Sequence, residues 1–214
     1  MNRDTVVNIM KSWIGKSKSN GSHKDIIDIY NSISPRPVGY KVTYSDNWCA
    51  ATVSAAYHKA GYDSIFPFEC SCSRMIEKAK KMGIWVEDDG YIPQPADCLI
   101  YDWQDNGIGD NVGAPDHVGL VEKVTNKQIT VIEGNKGNSS VVGRRVIKIN
   151  GKNIRGYVAP KFGYTTTENV KTNEQIAKEV YQGKWGNGVQ RRIRLKEAGY
   201  DPDEIQKLVN RMVI

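Results

Sequence analysis

A chain of 214 residues, 39% hydrophobic and 25% charged, is long enough for one good core plus a small extra module, and its composition is that of a folded protein rather than a disordered one. A net charge of +6 and a pI near 9.0 favour acidic partners such as nucleic acid, an anionic membrane or an anionic wall polymer. The charge alone does not choose among these; no basic run is interleaved with aromatics as single-strand nucleic acid binding needs, and no stretch approaches the roughly 20 apolar residues of a membrane-spanning helix, so no membrane insertion is expected.

The N-terminal MNRDTVVNIMKSW lacks the ~7–15-residue apolar run of a signal peptide. It predicts synthesis in the cytoplasm and an exit that needs outside help. Val6, Val7, Ile9, Met10, Trp13 and Ile14 recur at helical spacing, which predicts a helix over residues 3–14. A second short helix is expected over 23–31, with Ile26, Ile27 and Tyr30 on one side, before Pro35 and Pro37 end the region.

The segment Y-S-D-N-W-C-A-A-T-V-S-A-A-Y, Tyr44 to Tyr57, passes from turn formers into an alanine-rich helix that Gly61 stops. Cys49 is therefore expected at the helix N-terminus, where unpaired N–H groups and the helix dipole stabilise a thiolate. A buried cysteine at a helix start is the plainer reading of this segment by itself. His58 lies about 13 Å of helical rise further on, too far to serve the sulfur; with His23 it is a spare histidine.

A fourth helix is predicted over 71–82, with Met75, Ile76, Ala79 and Met82 as its apolar side. The period then changes from helix to strand. Strands are expected at 98–103, 116–124, 128–133, 140–149 and 154–159, giving an α+β fold with helices first and an antiparallel meander after. The loop between the first two strands carries Asp102, Asp105, Asp110 and Asp116 among glycines. Its spacing does not match a Ca²⁺ loop, and it reads as a solvated, substrate-facing loop with calcium the lesser alternative. Of the four cysteines, Cys70 and Cys72 stand too close for the usual zinc spacing, and the redox state of Cys70, Cys72 and Cys98 is left open.

After Phe162 the composition shifts. Residues 163–172 read as a Thr-rich linker, and three short helices follow over 173–214. Asn173-Glu174-Gln175 can cap the first, with Ile176, Ala177, Val180 and Tyr181 apolar. Gly183 to Gly188 forms a turn. Ile193, Leu195 and Ala198 line the second helix. Asp201-Pro202 opens the third, with Ile205, Leu208, Val209 and Met212 inside.

A chemistry-bearing constellation emerges from the hairpin 117–135. With a three-residue loop, Thr125 to Lys127, His117 lies opposite Asn135 and Gly119 opposite Glu133, and period-two alternation puts 117, 133 and 135 on one face. A two-residue loop would reverse that parity. A cysteine nucleophile needs an imidazole to take its proton and a third group to orient the ring. By itself, a strand-end histidine followed later by an E-G-N turn is the plainer reading of these residues.

W-C-A at 48–50, D-H-V-G-L-V-E-K-V at 116–124 and V-I-E-G-N at 131–135 together resemble the CHAP family of papain-like, NlpC-type cysteine amidases and peptidases. The resemblance covers roughly residues 1–160. It implies an antiparallel sheet of about five or six strands with N-terminal helices packed on it. It makes Cys49 the nucleophile, His117 the general base and acid, Glu133 the orienting acid and Asn135 a fourth member. The implied substrate is bacterial peptidoglycan, cut at an amide bond through an acyl-enzyme, either as an N-acetylmuramoyl-L-alanine amidase or as an endopeptidase. Many phage CHAP enzymes use calcium through an acidic loop before the cysteine; here only Asp46 closely precedes Cys49, and no cofactor is expected.

The tail segment I-A-K-E-V-Y-Q-G-K-W-G-N-G-V-Q-R-R-I-R-L-K-E-A-G-Y-D is similar to the three-helix cell-wall-binding repeat of some phage lysozymes, in a single copy. That resemblance implies muropeptide binding, with Lys184, Trp185, Asn187 and Arg191 as candidate ligand residues. The combined expectation is a phage or prophage endolysin: residues 1–162 catalytic, 163–172 linker, 173–214 wall-binding, held in the host cytoplasm until a holin opens the membrane. A wall-binding protein with a dead catalytic domain, and an intracellular thiol protease or deamidase, are the alternatives.

Overall fold

The computed structural model describes residues 1–105, 111–162, 172–198 and 200–212. The chain divides into two compact units, Met1–Tyr164 and Thr165–Ile214.

The first unit opens with helices α1 (Arg3–Ser12), α2 (Lys24–Asn31), α3 (Cys49–Lys59) and α4 (Cys72–Lys81). Asn2 caps α1 by accepting from the Asp4 N–H at 2.8 Å, and Val6, Val7 and Met10 bury the face the spacing predicted. Ile14, expected with them, lies beyond the helix end and is exposed. In α3 every residue from Cys49 to Tyr57 is buried. The small alanines account for this, because they let the helix run through the core against α1 and α2 on one side and the sheet on the other.

Six antiparallel strands follow: β1 (Trp85–Val86), β2 (Cys98–Tyr101), β3 (His117–Val124), β4 (Gln128–Lys136), β5 (Val141–Lys148) and β6 (Ile154–Val158), in the spatial order β1-β6-β2-β3-β4-β5. β1 has two residues, too few for a period to register in the sequence. One sheet face, with Cys98, Ile100, Val118, Leu120 and Ile132, joins the helical core. The other carries Leu99, Tyr101, Val121 and Val131.

The β3–β4 hairpin reaches the predicted register by a different route. Its tip is a two-residue loop, Asn126-Lys127, closed by the Thr125 N–H donating to the Gln128 carbonyl at 2.9 Å. That loop pairs Val124 with Ile129 and Lys123 with Thr130; the ladder then shifts across Glu122, and Val121 pairs with Val131 and Leu120 with Ile132. The β-bulge supplies the residue the loop lacks and restores the parity. Arg144 of β5 grips the bulged Glu122 carboxylate at 2.6 and 3.0 Å.

The second unit holds α5 (Asn173–Tyr181), α6 (Gly188–Glu197) and α7 (Pro202–Arg211). Its cap differs from expectation: Thr172, not Asn173, is the N-cap of α5, in a reciprocal capping box with Gln175. Asp201 caps α7, with Pro202 first in the helix. The core of this unit is small, built on Ile176, Ala177, Val180, Leu195, Ile205 and Val209. Ile193 and Met212, expected inside, are exposed. The linker assigned to 163–172 lies outside the described residues except for Thr172. No described helix is long and apolar enough to cross a membrane.

Candidate active site

Cys49 is the first residue of α3, and Trp48 before it makes no side-chain cap. The first-turn N–H groups are thus left to the sulfur side, and the Ala50 N–H donates to Sγ. His117 begins β3, opposite Tyr101 of β2. Two glycines let these elements close together. A Cβ on Gly119 would stand 2.5 Å from Val131 Cγ1 and 2.7 Å from Glu133 Cγ, so its absence makes room for the Glu133 side chain. A Cβ on Gly134 would collide with Thr52 Oγ1, so its absence lets β4 lie against α3.

The carboxylate of Glu133 is completely buried. Oε1 accepts from the Tyr101 hydroxyl at 2.6 Å and from Arg145 Nε at 2.7 Å. Oε2 faces His117 Nε2 at 3.4 Å. Neither of those two atoms has a hydrogen-bond partner elsewhere in the protein, so a small closure completes the bond between them, as catalytic contacts tighten around substrate. With Nε2 turned to Glu133, Nδ1 remains for the thiol.

The charges follow from this packing. Burial acts to lower the pKa of His117, but the Cys49 sulfur and the Glu133 carboxylate outweigh it and raise it to about 9. Burial likewise raises that of Glu133, yet His117, Arg145 and Tyr101 hold it below the usual carboxylate range. Cys49 is held well below the ordinary thiol range: the Cys72 thiol donates to it, burial opposes, and His117 and the Ala50 N–H add to the lowering. Cys72 is pushed the other way by that same bond, by burial, and by the charges of Cys49 and Asp116. The opposite shifts favour ionisation of Cys49 over Cys72, next to a ring held towards its protonated form.

Asn135 is not with them. The β4–β5 ladder shifts between Glu133 and Lys136, Asn135 turns to φ +55°, and its carboxamide donates to Asn47 Oδ1 at 3.1 Å while accepting from the Ser140 hydroxyl. Ser140 in turn accepts from Trp48 Nε1 at 2.9 Å. The shared face expected for 117, 133 and 135 thus stops at 133, and Asn135 instead ties the loop before Cys49 to β4. His23 is buried against Trp48, with ring centroids 5.4 Å apart, and so packs the same loop. His58 pairs with Asp63 at the surface.

Four groups escaped the sequence reading: Cys72, Tyr101, Arg145 and Trp103. The Trp103 ring is 43% exposed and stacks on Tyr101 and His117 at 4.7 and 6.0 Å, with the Arg145 guanidinium 5.1 Å from its centre. Of the loop read as solvated at 102–116, Trp103, Gln104, Val112, Gly113, Ala114 and Asp116 are exposed, but two of its carboxylates are not. Asp102 and Asp105 are buried and accept from the Gln104 and Asn153 N–H groups. Asp116 is exposed and accepts from the Trp103 N–H at 2.7 Å. These carboxylates brace the described ends of the loop. Asp110 lies outside the described residues.

For calcium, the one nearby carboxylate before Cys49, Asp46, already accepts from the Thr43 N–H at 2.7 Å and the Tyr40 hydroxyl at 2.9 Å. Among the described residues no cluster of three or more His, Cys, Asp or Glu could hold a metal ion.

In the second unit, Trp185 is half-buried, donates to Glu179 at 3.1 Å and meets Tyr200 edge-on at 6.2 Å; it belongs largely to the core. Lys184 lines a hollow of about 270 Å³ with Gln175, Lys178, Glu179 and Gln182. Trp185, Asn187 and Arg191 are not part of that hollow, so the four candidates do not share it.

Comparison with known proteins gives matches for both units. Residues 39–135 match the CHAP domain, and residues 174–213 match the CW_7 repeat. A lysozyme of Streptococcus phage Cp-7 is 49% identical over 41 residues, which are 19% of this chain and 12% of that lysozyme. The chain thus spans about an eighth of that relative's length. No solved structure matches significantly. The chain therefore joins an N-terminal CHAP domain, the segment that holds Cys49, His117 and Glu133, to a C-terminal CW_7 repeat.

Proposed function

We propose that this chain is an endolysin, a cysteine-dependent peptidoglycan hydrolase. Its first unit cuts an amide bond of the bacterial wall, and its CW_7 repeat holds the enzyme on the wall. The observation that carries the reading is the alignment of a low-pKa Cys49 with His117 and a buried Glu133 inside a CHAP segment. The CW_7 match and the phage lysozyme relative support the same substrate.

In this mechanism the Cys49 thiolate attacks the carbonyl carbon of the scissile amide. The Ala50 N–H, already aimed at the sulfur, stabilises the oxyanion. His117 passes its proton to the leaving amine, and the acyl-enzyme forms. His117 then takes a proton from water, which hydrolyses the thioester, while Glu133 keeps the ring in place and balances its charge. Asn135 acts at a distance, by fixing the loop that carries Trp48 and Cys49. The bond is that of an N-acetylmuramoyl-L-alanine amidase or of a stem or cross-bridge endopeptidase, and release to the wall follows membrane opening by a holin. Residues 1–162 form the catalytic part, 163–172 the linker and 173–214 the wall-binding part, with Lys184, Trp185, Asn187 and Arg191 as its contact candidates.

The test is clearance of purified walls by the intact protein and by Cys49→Ala, with mass spectrometry of the released fragments. The wild type clears walls and creates new amino and carboxyl ends at one bond, and Cys49→Ala does not. Equal clearance by both overturns the hydrolase reading. Removal of 165–214 is expected to lower co-sedimentation with walls while the first unit stays folded; unchanged sedimentation refutes the role given to the repeat.

A further inference from the structure

Arg145 has more hydrogen-bonding capacity than the mechanism above uses. Its Nε donates to Glu133 Oε1 at 2.7 Å, while the other oxygen of that carboxylate faces His117. Nη1 and Nη2 make no hydrogen bond among the described residues, and neither is closed off from solvent. A guanidinium pinned at Nε presents its far edge as a planar pair of donors, the shape that takes a carboxylate with two parallel bonds. Its surroundings hold that edge beside the reacting groups. The guanidinium lies 5.1 Å from the centre of the Trp103 ring and 5.7 Å from that of Tyr101. Trp103 in turn is exposed and stacks on His117. Asp116, the acid at the end of the same loop, is already engaged by the Trp103 N–H at 2.7 Å and by Gln104 Nε2 at 3.4 Å.

We propose that the outer edge of Arg145 and the exposed face of Trp103 form a subsite that binds a carboxylate of the wall peptide next to the scissile amide. Peptidoglycan peptides carry carboxylates on side chains and at chain ends. A water-facing cationic fork beside an aromatic wall suits such a planar anion joined to an apolar or sugar stem. The subsite also discriminates. A guanidinium has donors only, so it satisfies both oxygens of a carboxylate, whereas an amidated wall sets an NH2 donor against it. Arg145 thus has two edges with two tasks: one supports Glu133, the other reads the substrate. The place of the carboxylate next to the cut bond rests on the hydrolase reading; the binding of the anion does not.

The experiment measures cleavage of soluble wall fragments by the full-length protein, with the fragment carboxylates either intact or converted to amides by carbodiimide and ammonia. The wild type is expected to show about a tenfold higher KM on the amidated fragments, with little change in kcat. Arg145→Gln loses kcat on both, because Glu133 loses a partner, and its KM ratio falls to near one. Arg145→Lys recovers most of kcat, since an ammonium still answers Glu133, and its ratio stays below about three. An Arg145 that only supports Glu133 would slow both reactions and leave the ratio intact; that result overturns the proposal, as does a wild-type ratio of one. The same fragments are titrated against Cys49→Ala with and without Arg145→Gln, where the second unit is identical and its contribution cancels. An affinity ratio that depends on Arg145 there, in a protein whose wild type cuts neither fragment, supports the subsite and overturns the hydrolase reading. Cleavage of both fragments at equal KM does the reverse. If Arg145→Gln loses its native circular dichroism, Arg145→Lys carries the test with the same readouts.

Discussion

Replacing Glu133 by Gln keeps the shape of a completely buried side chain and removes its charge. The rise of His117 from 6.5 to about 9 is worth about 3 kcal/mol in favour of the imidazolium. Two anions, Cys49 and Glu133, supply it against burial. If Glu133 supplies about half, its neutralisation removes roughly 1.5 kcal/mol, and the ring then loses its proton about one pH unit lower. Arg145 loses its carboxylate too, but at 34% side-chain exposure it finds water, so the main cost falls on the histidine. The amide also ceases to fix the ring's tautomer, so clearance at pH 7 is expected to fall ~10²- to 10⁴-fold.

The stability effect has a defined window. A raised histidine pKa contributes stability that is fully present below 6.5 and lost as pH rises through about 9. A lowered carboxylate pKa contributes stability that is present above 4.5 and lost as pH falls through the folded value. The variant should therefore be most destabilised between pH 4.5 and 6.5 and approach the wild type above about pH 9. Clearance rates from pH 5 to 10, with thermal unfolding at each pH, measure both. A Glu133→Gln protein that keeps its basic limb at about 9 and its wild-type unfolding temperature in that window refutes the electrostatic role given to this carboxylate.

Three further outcomes are expected. Gly119→Ala forces a methyl against Glu133 Cγ and Val131 Cγ1 and should cost about 1–3 kcal/mol, with clearance reduced because Glu133 is displaced; an unchanged melting temperature and rate contradict this. Trp103→Ala removes an exposed ring stacked beside His117 and should raise KM for soluble wall fragments several-fold with a smaller change in kcat, as steady-state kinetics will show. Asp201→Ala deletes a cap that accepts from the Asp203 and Glu204 N–H groups and should destabilise the second unit by about 1 kcal/mol, read as a lower temperature at which the protein ceases to bind walls.

Much of this architecture is written in local sequence. The turn-to-alanine transition at Cys49, the periodicities of α1, α2 and α4, and the alternation in β2 to β6 each lie within one short window, so elements and their types are legible there. The diagonal of His117 and Glu133 is legible too, because one hairpin joins them. Tyr101 and Arg145 are not: they reach Glu133 from β2 and β5, and their register depends on strand pairings the sequence does not state. The influence of Cys72 on Cys49 arises only in the folded chain, 23 residues apart in sequence, and no spacing rule encodes it. Asn135 was misplaced because alternation assumes an unbroken ladder, and the ladder breaks immediately after Glu133. Trp185 reads equally as a ligand platform or a core ring, and only its contacts with Glu179 and Tyr200 place it largely in the core.

The extra residue at Glu122 has a bearing on how freely this protein can be altered. Because the shift in strand pairing sits between the hairpin tip and the site, the tip and the acid that orients His117 are decoupled. A one-residue insertion at Asn126-Lys127 can be absorbed by losing the bulge, without rotating Glu133 away from the imidazole. The same insertion between residues 131 and 133 has no such slack and would turn the carboxylate to the opposite side of the sheet. The far end of the hairpin is thus the place for a tag or a graft, and the few residues nearest the histidine tolerate no change in length.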